Sequence, residues 1–175
     1  MKILLIGPQG SGKSTQGKLL SQFLNIPYIS TGDIFRNIAS ETSQEGKRIK
    51  QILQSGQLVD DTTAIELIKK RLTADDCQNG FILDGYPRTL PQEENVKINF
   101  DKVIYLQIPE DEILKRLLQR GRVDDTKDSI KKRLELYSLQ TQPLLNYYKK
   151  QNILIEINAM GEIDDIFQNI KKTLS

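Results

Sequence analysis

The sequence predicts an α/β protein, a parallel five-stranded sheet flanked by helices, on two observations. Short apolar runs alternate along the 175 residues with longer segments of helical period, the pattern of βαβ units wound around a parallel sheet. Four of the five runs are near-continuous in Ile, Leu, Val and Phe, as strands covered on both faces should be. A chain of this length fits one domain, 1–175, and can bury a substantial core.

In chain order, a strand over 2–6 leads through a glycine-rich turn into a helix over 13–24. A short strand over 27–29 follows. Helical segments over 32–39, 44–55 and 62–72 come next, with no strand from Ser30 to Leu72, so part of this stretch is expected to lie outside the sheet. The third strand, 81–84, is apolar until it closes on Asp84, and a short helix over 91–96 follows it. The fourth strand, 103–108, precedes a helix over 111–120 and a polar connection, Gly-Arg-Val-Asp-Asp-Thr over 121–126, that reads as a loop tip. A long helix over 127–150, a fifth strand over 153–157 and a helix over 163–174 complete the chain. There is no internal repeat and no low-complexity segment.

Composition narrows the function. Twenty-five basic side chains face 23 acidic ones, a net charge of +2, which gives no reason to expect a nucleic-acid partner held by bulk charge. Cys77 is the only cysteine, so no disulfide can form within the chain and Cys-rich zinc sites are excluded. The chain has no histidine, which rules out His-dependent triads and His metal sites. The apolar run at the start is too short for a signal peptide or a membrane span; a cytoplasmic monomer with no membrane partner is expected. Cys77 reads as a partly buried small hydrophobe, and Tyr147 and Tyr148 as packing residues rather than a base-stacking platform.

The sharpest signal is Gly7-Pro-Gln-Gly-Ser-Gly-Lys-Ser14, which fits G-x-x-x-x-G-K-[ST] between a strand and a helix. Such a P-loop lets backbone N–H groups curl around an anion, and a side chain at Gly10 or Gly12 would block it. The following helix adds its positive end. Lys13 supplies a point charge at the β- and γ-phosphates, and Ser14 can ligate Mg²⁺. A glycine-rich turn with a surface lysine is the plain alternative, disfavoured by the full motif in its strand–turn–helix setting. Asp84, at a strand end, suits a carboxylate that reaches Mg²⁺ through water.

Arginine matches phosphate oxygens with a planar fork of donors. Arg116 and Arg120 are four apart and share a helix face; Arg122 follows in the loop, Arg133 lies on the next helix, and Arg36 and Arg88 come earlier. Taken singly, each reads as a solvated surface charge. As a set they point to one crevice, because strand-end loops of open α/β sheets share it.

Several segments resemble the adenylate kinase family of nucleoside monophosphate kinases: GPQGSGKSTQ over 7–16, STGDIFR over 30–36, GQLV over 56–59, DGYPRTLPQ over 84–92, RGRVDD over 120–125 and KKRLE over 131–135. The resemblance runs from Met1 to about Leu174, with motifs in the expected order. It implies a P-loop NTPase-type sheet with a helical monophosphate-binding insertion over 30–59 and a very short lid over 121–127. It implies reversible Mg²⁺-dependent transfer from ATP to AMP, giving two ADP. Gly10, Ser11, Gly12, Lys13, Ser14, Thr15, Arg116, Arg120 and Gly161 would serve ATP. Thr31, Arg36, Gln57, Leu58, Val59, Gly85, Tyr86, Pro87, Arg88, Gln92, Arg122 and Arg133 would serve AMP. Lys13, Arg88, Arg120, Arg122 and Arg133 would offset charge during transfer. Gln92 would read adenine, donating to a ring nitrogen and accepting from the 6-amino group.

Thr31, Thr89 and Gln92 favour AMP as acceptor, since similar pyrimidine kinases often have Ala and Asn at the first two positions. The chain also departs from the family. Ser14 and Thr15 follow Lys13 where relatives usually place Gly first, so either hydroxyl could ligate Mg²⁺, with Asp84 through water and Asp33 as a weaker member of that shell. Only Gly121 separates Arg120 from Arg122. A lid this short leaves no room for the zinc site of long-lid members and is expected to cover less of the site. The rival readings are a UMP/CMP kinase, a non-catalytic nucleotide-binding or assembly module on the same fold, and a sugar or shikimate kinase.

Overall fold

The computed structural model describes residues 1–54, 59–120 and 127–174, excepting the side chains of Gln54, Arg120, Ser129 and Arg133. Five parallel strands form one sheet in the order β2-β3-β1-β4-β5: β1 (Lys2–Ile6), β2 (Tyr28–Ser30), β3 (Phe81–Asp84), β4 (Lys102–Gln107) and β5 (Leu154–Asn158). The helices are α1 (Lys13–Leu24), α2 (Thr31–Ala39), α3 (Gln44–Gln54), α4 (Asp61–Leu72), α5 (Leu90–Val96), α6 (Glu110–Arg120), α7 (Lys127–Lys150) and α8 (Ile163–Lys172).

The predicted class and element order hold, with ends displaced by a residue or two. A 3-10 turn at Asp75–Cys77 was not foreseen. Alternation along β1 divides the core. Leu4 and Ile6 pack with Ile29, Leu83 and Val103 on one face. Ile3 and Leu5 pack with Leu20, Ile82, Ile104 and Ile170 on the other. Only the inner strands meet the expectation of cover on both faces: β1 and β3 are almost wholly buried, whereas β5 buries only Ile157 within its span. As the last strand of the sheet, β5 has one flank open, which its apolar sequence does not reveal.

The chain leaves β1 toward β2 at one edge and leaves β4 toward β5 at the other. Such a reversal opens a crevice at the carboxyl ends of the strands. The glycine loop after β1 and Asp84 at the end of β3 both lie at that edge, with Ser30 paired in register to Asp84. Between β2 and β3 the described residues form α2, α3 and α4 and no strand. Arg48 on α3 reaches Asp60, the N-cap of α4, at 2.9 Å, and Asp60 accepts from the Thr63 N–H at 2.9 Å. This clasp joins α3 to α4.

Candidate active site

The loop after β1 turns on Gly10 and Gly12, at φ 89° and 92°, where only glycine is at ease. A Cβ on Gly12 would touch nothing within 4 Å, whereas one on Gly10 would press on the Leu117 side chain at 3.2 Å, so at Gly10 the constraint is packing against α6 and not a blocked anion space. Ser11 N–H bonds to the Pro8 carbonyl at 3.2 Å, and Gln16 N–H to Gly12 at 3.0 Å starts α1. Lys13 Nζ donates to the Gly7 and Pro8 carbonyls at 2.7 and 3.0 Å. Burial holds its pKa below the usual lysine value; Asp84 opposes that shift and Arg88 adds to it. Lys13 on α1, Asp84 at the end of β3 and Arg88 in the connection after it therefore share one electrostatic neighbourhood.

Asp84 is buried, and Tyr28 Oη donates to its Oδ2 at 2.6 Å. The Ser14 and Ser30 hydroxyls also face the Tyr28 hydroxyl, whose pKa is raised by burial first and then by Asp84. Directly after β3, Gly85 has φ 91°, and a Cβ there would meet Thr31 Oγ1 at 2.6 Å and lie 3.5 Å from an Arg88 guanidinium nitrogen. Arg88 Nε donates to the Gly85 carbonyl at 2.7 Å. Thr31, Gly85 and Arg88 are thus brought together. Thr31, Tyr86, Pro87 and Val59 are buried, and burial, then Asp61 and Glu93, pushes the Tyr86 hydroxyl up to about 12.

Gln92 is fixed on both sides. Its Oε1 accepts from the Arg88 backbone N–H at 2.7 Å, and its Nε2 donates to Asp61 Oδ1 at 2.8 Å. Across the site, Arg116 Nε donates to Glu112 at 2.9 Å and its terminal nitrogen to the Ala159 carbonyl at 3.2 Å. That contact holds Arg116 beside the turn containing Gly161, at φ 103° with nothing near its would-be Cβ. Arg36 pairs with Asp33, both exposed, so Asp33 is engaged by an arginine here. Gln57, Leu58 and Arg122, the lid stretch through residue 126, and the side chains of Arg120 and Arg133 lie outside the described residues.

Sequence reasoning missed Tyr28, Asp61 and Glu112, the partners of Asp84, Gln92 and Arg116. Glu112 had a local signal, since it stands four residues before Arg116 on one helix. Tyr28 and Asp61 lie 56 and 31 residues from their partners, and no spacing rule spans such gaps.

The donor set suits magnesium. Mg²⁺ prefers oxygen ligands, keeps several waters and relies on one or two carboxylates plus substrate phosphates. The first turn of α1 offers the exposed residues Ser14 and Thr15, and Asp84 nearby supplies one buried carboxylate that shares Tyr28 with Ser14. The buried Ser11 hydroxyl has no hydrogen-bond partner among the described residues. No cluster of three acidic, Cys or His side chains that could hold a metal by itself occurs among them.

A lysine closing an anion loop, with an arginine and a strand-end acid across from it, defines a P-loop phosphotransferase. The adenylate kinase family model matches residues 5–153. The adenylate kinase of Clostridium botulinum strain Loch Maree is 39% identical over 212 residues, covering 99% of this chain and 98% of the relative. That of Clostridium tetani is 38% identical and that of Clostridium kluyveri strain ATCC 8527 39%, with the same coverage. The chain belongs to the adenylate kinase family. It is an enzyme of nucleotide phosphoryl transfer, a reaction that is generally magnesium-dependent in this family. No helix among the described residues is long and apolar enough to cross a membrane.

Proposed function

We propose that the protein catalyses Mg²⁺·ATP + AMP ⇌ 2 ADP by direct in-line transfer, with the residues acting as follows. The loop over 7–14 and the N-terminus of α1 hold the ATP phosphates, with Lys13 leaving its carbonyl partners for them. Arg116 and Gly161 flank the ATP base. Arg88 and Arg36 hold the AMP phosphate, Thr31 and Gln92 face its base, and Val59, Gly85, Tyr86 and Pro87 wall the pocket. Gln57 and Leu58 extend that wall. Residues 30–59 act as the monophosphate-binding unit and 121–127 as a minimal lid. By the family resemblance, Arg120 meets the ATP phosphates, and Arg122 and Arg133 bridge the phosphates of donor and acceptor. Ser14 or Thr15, and Asp84 through water, would hold Mg²⁺, which when bound offsets charge on the ATP phosphates. No side-chain nucleophile is needed, since an AMP phosphate oxygen attacks directly.

The observation that carries this reading is the meeting of Lys13, from the donor loop, with Arg88, from the acceptor side, around Asp84 in one electrostatic neighbourhood. The test is a panel of AMP, UMP, CMP and GMP with Mg²⁺·ATP, reading ADP formation. AMP should saturate with the highest kcat/KM. Arg88→Ala should lower turnover roughly 10²–10⁴-fold, as loss of one preorganised charge donor does, with its melting midpoint retained. Absence of saturation with every monophosphate, or an Arg88→Ala enzyme as fast as the parent, would overturn it.

A further inference from the structure

Gln92 can recognise a purine only if its amide faces the right way, and the structure holds the amide from both ends. The carboxylate of Asp61 can only accept, and the Arg88 backbone N–H can only donate. Turning the amide over would set Oε1 against a carboxylate oxygen and Nε2 against an N–H, two repulsive contacts in place of the bonds at 2.8 and 2.7 Å. The orientation is therefore dictated by the chemistry of its neighbours. The rest of Gln92 is held too: its backbone N–H bonds to Thr89 Oγ1, the N-cap of α5, at 3.3 Å.

In this orientation one Nε2 hydrogen and one Oε1 lone pair have no partner among the described residues. Together they present a donor beside an acceptor, in a fixed order. A 6-aminopurine offers the complement, with N1 accepting and the exocyclic amine donating. A 6-oxopurine offers the reverse, with N1–H donating and O6 accepting. A freely turning glutamine would serve both equally well, because its amide is nearly symmetric in shape. We infer that Asp61, on the first turn of α4, is a specificity-positioning residue: by locking the Gln92 amide it makes the acceptor pocket choose 6-amino- over 6-oxopurine monophosphates. Asp61 acts through Gln92 and makes no contact with the base. The inference rests on the proposed role of Gln92 at the AMP base and adds the element that gives that contact its direction.

The test compares AMP with IMP, which differ at this edge alone and lack the 2-amino group that would complicate GMP. Asp61→Asn keeps the shape of the side chain at an exposed helix start. Its carbonyl can still accept from Nε2, and its amide can equally donate to a turned Oε1. The ratio of kcat/KM for AMP to that for IMP should fall about tenfold in this variant, the usual scale for one lost polar discrimination. Turnover at saturating AMP should stay within about twofold, since the phosphate-holding groups are untouched. Asp61→Ala should also lower the ratio, chiefly through weaker AMP binding, which calorimetric titration of AMP and IMP without ATP reads directly. The Arg88 N–H remains in both variants, so selectivity is relaxed and not inverted.

Parallel measurement on Gln92→Ala separates the possible failures. A parent enzyme that does not saturate with AMP removes the functional reading and this inference with it. A Gln92→Ala enzyme with the parental ratio removes the base-reading role, and so the lock. A ratio that drops in Gln92→Ala but stays parental in both Asp61 variants overturns the lock alone. So would an Asp61→Asn effect that weakens AMP and IMP equally.

Discussion

The ring of Tyr28 lies where a side chain on residue 17 would have to go. A Cβ on Gly17 would fall 2.3 and 2.5 Å from two Tyr28 ring carbons and 2.9 Å from Leu5 Cδ1. The ring cannot easily retreat, because its hydroxyl is tied to the buried Asp84. Gly17 is therefore a packing requirement of the Tyr28–Asp84 pair and not a flexible point in α1. Gly17→Ala should destabilise the fold by about 1–3 kcal/mol, as overpacking does, lowering the denaturant midpoint and slowing phosphoryl transfer as Asp84 is displaced. A parental midpoint together with a parental rate would show that the ring has room to move. The same pair marks the limit of reading single residues from sequence. Gly10, Gly12 and Lys13 were legible because the backbone of one short loop makes the site, and local spacing encodes it. Tyr28 looked like an ordinary residue of a short strand, since its partner arrives only when β2 pairs with β3.

At the scale of elements, periodicity identified the five strands and eight helices because each buries a stripe or a face that composition records. It could not identify which strand stands at an edge, since that depends on the order in the sheet. Nor could it show what joins one helix to another. Helices α5 and α7 are joined by Tyr148 Oη donating to Glu93 Oε2 at 2.6 Å, a buried bond between residues 55 apart. Tyr148 is fully buried and stands edge-on to Phe100, in line with its reading as a packing residue. Burial raises the Glu93 pKa, and the bond from Tyr148 only partly offsets this. The folded state thus holds the Glu93 proton more tightly than the unfolded chain does. Below the ordinary carboxylate range both states are protonated and Glu93 contributes no pH dependence. As pH rises from that range through the raised folded pKa, its contribution to stability falls, and above it the full loss remains. Glu93→Gln keeps a hydrogen-bonding group without a titrating proton, so its stability relative to the parent should increase across that interval. Denaturation at a series of pH values checks this; parallel curves for parent and variant would refute it.

For the whole molecule, the proposed reaction requires that two nucleotides bind side by side and not in turn at one place. The glycine loop with Lys13 and the Thr31–Gly85–Arg88 cluster lie on opposite sides of Asp84 and use separate residues, so each ligand should stabilise the fold independently. A ligand at about 100 times its Kd adds about 2.7 kcal/mol to the folded state. For a chain of this size that is a rise in melting midpoint of about 5–10 °C. AMP alone and Mg²⁺ with a non-transferable ATP analogue alone should each produce such a rise, and the two together should give nearly the sum. Arg88→Ala should remove most of the AMP shift while preserving that of the ATP analogue, and Lys13→Ala should do the opposite. Ligands that compete, so that the combined shift is no larger than the greater single one, would mean one shared pocket. Phosphoryl transfer between two bound nucleotides could not then occur in this crevice.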